Sequence, residues 1–377
     1  MIKKLTDVCD IQYGYAFNSA GFTSDAAYIP LIRIRDVKRG YSETYFSMDY
    51  PKEYIVHNSD LLISMDGEFN IARWKGQDTL LNQRVCKVTA KQDVNEEYLR
   101  FALTRILKRL EDKTSFVTVK HLSARELNKL ELVIPAIEEQ NRTALLLSTL
   151  EALQSLKHEE LSKLDELVNA RFVEMFGDPV YNPKGWPMSR LEDVCTSIVD
   201  CPHSTPHYTD VNTGYICIRT SVVKKNKILW DKVEYIPEEE YEYRIQRKRP
   251  SLNDVVYTRE GAILGIAAVI DRGCNIALGQ RMMLLTPNIN KCNPIFLSTV
   301  MNIESFFYKA IQGVSGSASP HINVGDIKNF SIIIPPIQQQ NQFVDFVNQI
   351  DKSKSAIQKS LDETQTLFNS LMQEYFG

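Results

Sequence analysis

Ile134-Pro135-Ala136-Ile137-Glu138-Glu139-Gln140-Asn141 returns 200 residues later as Ile334-Pro335-Pro336-Ile337-Gln338-Gln339-Gln340-Asn341. Each copy opens a polar, Gly-free segment of about 40 residues, and each segment closes on Phe-Gly, at Phe176-Gly177 and Phe376-Gly377. A duplication of this period, pairing a mixed module with a long helix, predicts two similar modules held apart at a set distance.

Working outward from the repeat, the second helical segment places Phe343, Val347, Ile350, Lys354, Ile357, Leu361, Thr364, Phe368, Leu371 and Tyr375 at alternating steps of four and three, the spacing of a coiled-coil seam. The same register in the first copy gives Thr143, Leu147, Leu150, Gln154, Lys157, Leu161, Leu164, Val168, Arg171 and Met175. The polar interruptions weaken packing and can fix register. Forty helical residues span about 60 Å at 1.5 Å each. Two helices in one chain with a module between them are expected to pair antiparallel, with one module near each end. The alternative is that each helix covers its own module. The expected fold class is therefore α/β (mixed α+β), with two tandem modules of curved, mainly antiparallel sheets, two long helices packed as an antiparallel coiled coil, and a pseudo-twofold internal repeat. The expected boundaries are 1–135 for the first module, 136–177 for the first helix, 178–186 for a linker, 187–335 for the second module and 336–377 for the second helix.

The modules match block by block. Leu5-Thr6-Asp7-Val8-Cys9 pairs with Leu191-Glu192-Asp193-Val194-Cys195, and the strand-like basic run Tyr28–Lys38 with Tyr215–Lys225. Asp60–Ser64 pairs with Asp254–Thr258, each a buried-strand pattern ending in a loop with Gly67 or Gly261. Leu81-Asn82-Gln83-Arg84 pairs with Leu278-Gly279-Gln280-Arg281. Helices are expected at 95–110 and about 293–311. His121-Leu122-Ser123-Ala124-Arg125-Glu126-Leu127 pairs with His321-Ile322-Asn323-Val324-Gly325-Asp326-Ile327, where Ser123 and Glu126 fit a capping box and Asn323 and Asp326 a looser one. Polar loops precede both, at 113–116 and 313–319, and a helix start behind such a loop suits a phosphate; a routine turn and cap is the other reading.

The chain has 44 Lys+Arg against 47 Asp+Glu, a net charge of −3. Divided, residues 1–135 carry +2, 136–186 carry −4, 187–335 carry +1 and 336–377 carry −2. The negative charge lies on the helical segments, so the modules are able to bind DNA, though not by charge alone. The acidic helix faces (Glu138, Glu139, Glu159, Glu160, Asp165, Glu166) suit docking of a second protein, or are simply solvated. No apolar run reaches the ~20 residues of a membrane span. The N-terminal residues lack a signal-peptide core, and the seven cysteines are scattered without a Cys-x-x-Cys, which points to reduced thiols in a cytoplasm.

Enzymatic readings find no support in motifs. There is no Walker A, no Gly-x-Gly-x-x-Gly and no Asp/Asn-Pro-Pro-aromatic of an amino-methyltransferase. Asp60…Glu68 and Asp254…Glu260 lack the x-Lys of a restriction-type nuclease core. Cys201, His203 and His207 are a thin zinc set in a Pro-rich loop.

The order of module, Ile134–Gln140, long helix, Phe176-Gly177-Asp178-Pro179, Asn182-Pro183-Lys184-Gly185-Trp186-Pro187, module, Ile334–Gln340 and long helix resembles the specificity subunit (HsdS) of type I restriction-modification systems. The resemblance covers essentially the whole chain. It implies two target-recognition domains, each reading one half of a bipartite, asymmetric site in double-stranded DNA, on a helical spacer that sets the gap. It implies a subunit that is not itself catalytic and binds no cofactor. Two modification subunits would methylate adenine N6 with S-adenosylmethionine, and restriction subunits would supply ATP- and Mg-dependent translocation and cleavage. Such complexes act in the bacterial or archaeal cytoplasm. The short tandem repeats often found in the family's central helix are not seen in 137–176. A specificity subunit of a related restriction or methylation system is an alternative, as is a coiled-coil scaffold whose heads bind protein.

Arg suits guanine O6/N7, Asn and Gln suit adenine N6/N7, and Lys, Ser and backbone N–H suit phosphate. The DNA-contact candidates are Arg33, Arg35, Lys38, Arg73, Lys75, Gln83, Arg84, Lys120 and His121 in the first module. In the second they are Arg219, Lys224, Lys225, Lys227, Arg259, Gln280, Arg281, Ser317, His321 and Asn323. For each the alternative is a solvated face, and Gln83/Arg84 and Gln280/Arg281 could equally bridge a strand to its loop.

Overall fold

The computed structural model describes residues 1–113, 121–312 and 320–377. It divides into two compact units, Met1–Glu159 with Gln358–Gly377, and Glu160–Ile357. Each unit therefore holds one mixed module, part of the helix Ile137–Phe176 and part of the helix Ile337–Phe376. Both helices are Gly- and Pro-free throughout, and both start directly behind a Pro-containing turn. The first ends where Gly177, at φ 75, closes it by donating to Val173 C=O at 2.8 Å.

In the first unit, Ile2–Lys4 pairs with Glu131–Val133, closing the module at the foot of the helix. A four-stranded antiparallel sheet runs in the order Cys9–Tyr13, Val85–Ala90, Leu61–Ser64, Ile71–Arg73. A separate five-stranded sheet is built from Phe22–Thr23, Tyr45–Phe46, Ile29–Ile32, Thr79–Leu81 and Ile55–Val56, with Ile29–Ile32 and Thr79–Leu81 parallel. The helix Glu96–Lys113 covers the four-stranded sheet, burying Leu99 and Leu103 with Leu61, Ile63 and Val88.

The second unit repeats this plan. Met188–Arg190 pairs with Ser331–Ile333, and Cys195–Asp200, Met282–Pro287, Val255–Thr258 and Ala267–Val269 form the four-stranded sheet. Glu234–Tyr235, Tyr215–Ile218 and Asn275–Leu278 form a three-stranded one, again with one parallel pair. The helix expected at about 293–311 is two, Pro294–Asn302 and Glu304–Ile311, because Ile303 adopts an extended conformation (ψ 137) between them.

The α/β class, the two domains and the long helices in contact stand, but the curved sheets do not. The sheets are not curved; the β-structure of each module is split into separate small sheets of short strands. The physical reason is local. Arg84 (φ 74) and Arg281 (φ 73) each turn the chain between one sheet's strand and the next sheet's strand, where a continuous strand would have bent. The basic run Tyr28–Lys38 is also corrected. Its strand stops at Ile32, and Ile34–Arg39 is a helix capped by Asp36, which accepts from Arg33 N–H at 2.9 Å, and stopped by Gly40 at φ 80.

Within the first unit, Leu147 clusters with Met372 and Phe101, and Lys157 Nζ reaches the Ser360 carbonyl (3.1 Å) and Thr364 Oγ1 (2.9 Å). Rising numbers on one helix meet falling numbers on the other, so these segments run antiparallel. In the second unit Asp165 pairs with Lys354, and Phe172 packs on Phe343 with ring centroids 5.5 Å apart, which gives the same direction. Of the seam residues, Leu147, Leu150, Val168, Phe343, Val347 and Leu361 are buried. Leu161, Leu164, Met175, Ile350, Ile357, Phe368 and Leu371 are half-buried.

The repeated octapeptide has a specific job in each unit. Gln140, 1% exposed, accepts from Asn95 N–H at 2.9 Å and donates to Asp93 and Pro135 carbonyls. Gln340, 0% exposed, accepts from Asn293 N–H at 2.9 Å and donates to Lys291 and Pro335 carbonyls. Beside them Asn95 Nδ2 donates to Asn141 and Asn293 Nδ2 to Asn341. Each long helix is thus latched to the segment that opens its module's own packing helix.

Candidate nucleic-acid interface

The turn Asn82–Val85, in which Val85 N–H donates to Asn82 C=O at 3.2 Å, carries Arg84 at φ 74. Arg281 takes φ 73 at the matching place in the second unit. A side chain in this left-handed region costs about 1–2 kcal/mol, which Gly would avoid. The chain is crowded here: a Cβ on Gly14 would lie 2.0 Å from the Asn82 carbonyl oxygen.

The backbone frame around both arginines is the same. Met65 N–H donates to Arg84 C=O (2.8 Å) and Leu122 N–H to Met65 C=O (2.7 Å). Arg259 N–H donates to Arg281 C=O (3.1 Å) and Ile322 N–H to Arg259 C=O (2.9 Å). Isolated bridges join Asp66 to His121 and Glu260 to His321. On this frame Asp66 binds the His121 ring and lies 3.4 Å from Arg84 Nε, while Arg84 Nη1 is 3.2 Å from His121 Nδ1. Glu260 lies 3.6 Å from Arg281 Nε, and a Cβ on Gly261 would approach Arg281 Nη1 at 3.3 Å. Each module thus presents an Arg, a carboxylate and a His at one half-exposed corner.

The sequence offers the Arg and His of each corner as DNA contacts but does not pair Asp66 with them, and offers Glu260 only as a nuclease carboxylate. Asp66 and Glu260 stand six residues on from the aligned Asp60 and Asp254, and extending that alignment would have found them.

The other candidates fall into two groups. Arg33, Arg35, Lys38, Lys75 and Gln83 are exposed. Arg33 lies over the Phe22 ring, Arg35 is 3.6 Å from Asp36 and Lys38 3.5 Å from Glu68. Lys224, Lys225 and Lys227 are exposed on the hairpin 223–228, turned by Asn226 at φ 58. Arg219 pairs with Glu234 at 2.7 Å over the Tyr208 ring, and Asn323 is exposed and donates to Asp326. Gln280 is half-buried and accepts from the Thr205 hydroxyl at 3.4 Å.

Two arginines serve the interior. Arg259, 6% exposed, grips Asp200 through Nε (2.9 Å) and Nη2 (3.2 Å). Arg73 ties Glu97, Glu96 (2.8 Å) and the Ser59 carbonyl (2.8 Å) at the start of the helix Glu96–Lys113. Lys120 and Ser317, with most of the two polar loops, lie outside the described residues. The short helices behind those loops, Ala124–Leu127 and Val324–Lys328, have four and five residues, and in the first Ser123 Oγ accepts from Glu126 N–H at 3.2 Å.

Burial raises the Glu97 carboxyl, but hydrogen bonds from Arg100 and Arg73 outweigh it and hold the group below the usual carboxylate range. Its folded pKa is thus depressed, so its contribution is present above the unfolded value near 4.3 and fades as pH falls through the folded one. Glu97→Gln is expected to cost about 1–2 kcal/mol at pH 7. Urea melts should show the difference from the parent shrinking below about pH 4.

Among the described residues no group of three His, Cys, Asp or Glu side chains could hold a metal ion. In the loop weighed as a zinc site, His203 pairs with Asp200, His207 with Glu240, and Cys201 Sγ accepts from Met282 N–H. Burial pushes the Cys9, Cys86, Cys195 and Cys217 thiols up from 9.0 to about 12, so they stay protonated at neutral pH. No helix among the described residues is long and apolar enough to cross a membrane.

Two repeated α/β modules, each built against oppositely directed segments of two long helices, define a class of tandem-module protein. The family model for the type I restriction modification DNA specificity domain matches residues 1–166 and 183–364, and the chain belongs to that family as a specificity (HsdS) subunit. It is 28% identical to the type I restriction enzyme EcoBI specificity subunit of Escherichia coli over 394 aligned positions, covering 98% of this chain and 83% of that one. It is 21% identical to the MjaVIII specificity subunit of Methanocaldococcus jannaschii, over 88% of this chain and 83% of that one. The crystal structure of a type I restriction-modification S subunit from M. genitalium superposes with a TM-score of 0.58 at 12% identity, covering 100% of this chain and 96% of that one. A structure from a study of type I complex assembly and conformational transition gives 0.54 at 17% identity, with 100% and 97% covered. Both of these structural likenesses bear on the fold alone. The chain is the DNA-specificity component of a type I restriction-modification system.

Proposed function

We propose that the module in 1–135 reads one half of a bipartite, asymmetric DNA site and that in 187–335 the other. In this reading the paired long helices set the gap and dock two adenine-N6 methyltransferase subunits, and restriction subunits join the same complex in the bacterial or archaeal cytoplasm. The observation that carries the reading is the latch of Gln140 and Gln340. A helix can set the spacing of two half-sites only if each module is rigidly joined to it, and each joint is made by three hydrogen bonds from one buried amide. Divergent exposed basic segments on a repeated frame support two different half-sites. For the docking surface the support is apolar as well as acidic. Leu145 (71% exposed) and Leu156 (62%) are exposed on the long helix in the first unit, and Leu167 and Val173 in the second.

The test is co-expression with the neighbouring methyltransferase, with and without this chain, followed by single-molecule sequencing of modified bases. A split N6-methyladenine motif that requires this chain is expected. Stable assembly with no DNA preference would replace the reading by that of a scaffold whose heads bind protein.

A further inference from the structure

We infer that the two Arg–carboxylate–His corners, Arg84/Asp66/His121 and Arg281/Glu260/His321, are a duplicated phosphodiester-binding site that registers each module on the DNA backbone and reads no base. The inference rests on the DNA-binding reading above and specifies what one part of that surface touches. The two halves of an asymmetric site differ in their bases, whereas the sugar-phosphate backbone is common to both. The surrounding exposed segments differ between the modules, one presenting the helix Ile34–Arg39 and the other a lysine hairpin. The backbone frame of the corner, with its Arg and His, is shared. Arg recurs at φ 74 and 73 on the same backbone frame, with a His bridged to the same carboxylate position.

A strained Arg at two matching turns points to a need for that side chain, because Gly would satisfy the backbone alone. The carboxylate faces the Nε edge in both, at 3.4 and 3.6 Å, and so steers the guanidinium. It is Asp in one module and Glu in the other.

The experiment uses the full chain assembled with its methyltransferase subunits. Arg84→Gly and Arg281→Gly remove the side chain while relieving the turn, and Arg84→Asn, which also tolerates a left-handed turn, replaces the first if it folds poorly. Binding is measured from 50 to 200 mM salt, on a duplex carrying the mapped site and on one lacking it. Each variant is expected to bind both duplexes about three- to tenfold more weakly, with a log–log salt slope reduced by about one and an unchanged methylation motif. Arg84→Lys should restore most of the loss. A motif relaxed at one position would make these residues base readers, and unchanged affinity and slope would make the corner structural; either result overturns the inference. A parent complex with no split motif would instead count against the DNA-binding reading itself.

Discussion

A chain ending at Ile357 is expected to lose the cooperative folding of the first unit while the second keeps its core. The residues removed, 358–377, belong to the compact unit that begins at Met1. They supply Leu361 (4% exposed) and Met372 (7%), with Phe368, Leu371 and Phe376 packed against the Phe101–Leu147 cluster. They also supply the Ser360 and Thr364 oxygens that receive the Lys157 ammonium. Burying large apolar side chains contributes about 1.5–3 kcal/mol each. Two of the five are buried and three half-buried, so their loss, about 5–10 kcal/mol, is comparable with the whole stability of a domain, on the order of 5–15 kcal/mol. Hydrogen exchange read by mass spectrometry should show the helix 96–113 and residues 137–159 deprotected and strands 255–258 and 282–287 unchanged. Protection of 96–113 and 137–159 at the parent level would mean that the helical segments do not depend on one another.

The second large effect concerns the latch. Gln340→Ala removes an acceptor from Asn293 N–H and donors from two carbonyls, all at a fully buried position. Leaving buried partners unsatisfied costs about 1–3 kcal/mol each, so about 3 kcal/mol in total is expected after partial hydration. For a unit of this size that lowers the melting temperature by about 6–12 °C. Gln140→Ala should act similarly in the first unit. The exposed neighbour Gln338→Ala is the control and should shift the melt by under about 2 °C. Gln340→Glu keeps the shape but removes both amide donors and buries a carboxylate, so it should be no better than Ala. A melt for Gln340→Ala within error of the parent would remove the latch as a structural joint, and with it the main support for a fixed spacing.

Much of this architecture was legible in the residues because it rests on local period and local chemistry. The heptad steps from Phe343 to Tyr375 mark a helix with one buried stripe, and the Ile-Pro-x-Ile-x-x-Gln repeat marks where each helix starts. What escaped the sequence depends on partners distant along the chain. Arg259 reads as a free basic residue until strand pairing brings Asp200 to it, 59 positions away. The sheets looked continuous and curved because the turns at Arg84 and Arg281 carry no Gly at the left-handed position, so nothing in the pattern signals a break. The helix Ile34–Arg39 hid inside a run of β-branched residues, and only Asp36 and Gly40 marked its ends. Asp66 and Glu260 were overlooked as partners because a carboxylate beside a basic residue is unremarkable until both modules show it.

The central claim, that each module reads its own half of a split site across a gap set by the helices, is tested most directly by exchanging one module. Residues 187–335 are replaced by the corresponding module of another family member, keeping both long helices, and the methylated motif is mapped by single-molecule sequencing. The account predicts that one half of the motif changes while the other half and the number of intervening base pairs stay as they were. A motif altered in both halves, or a change in the gap with the helices intact, would contradict it.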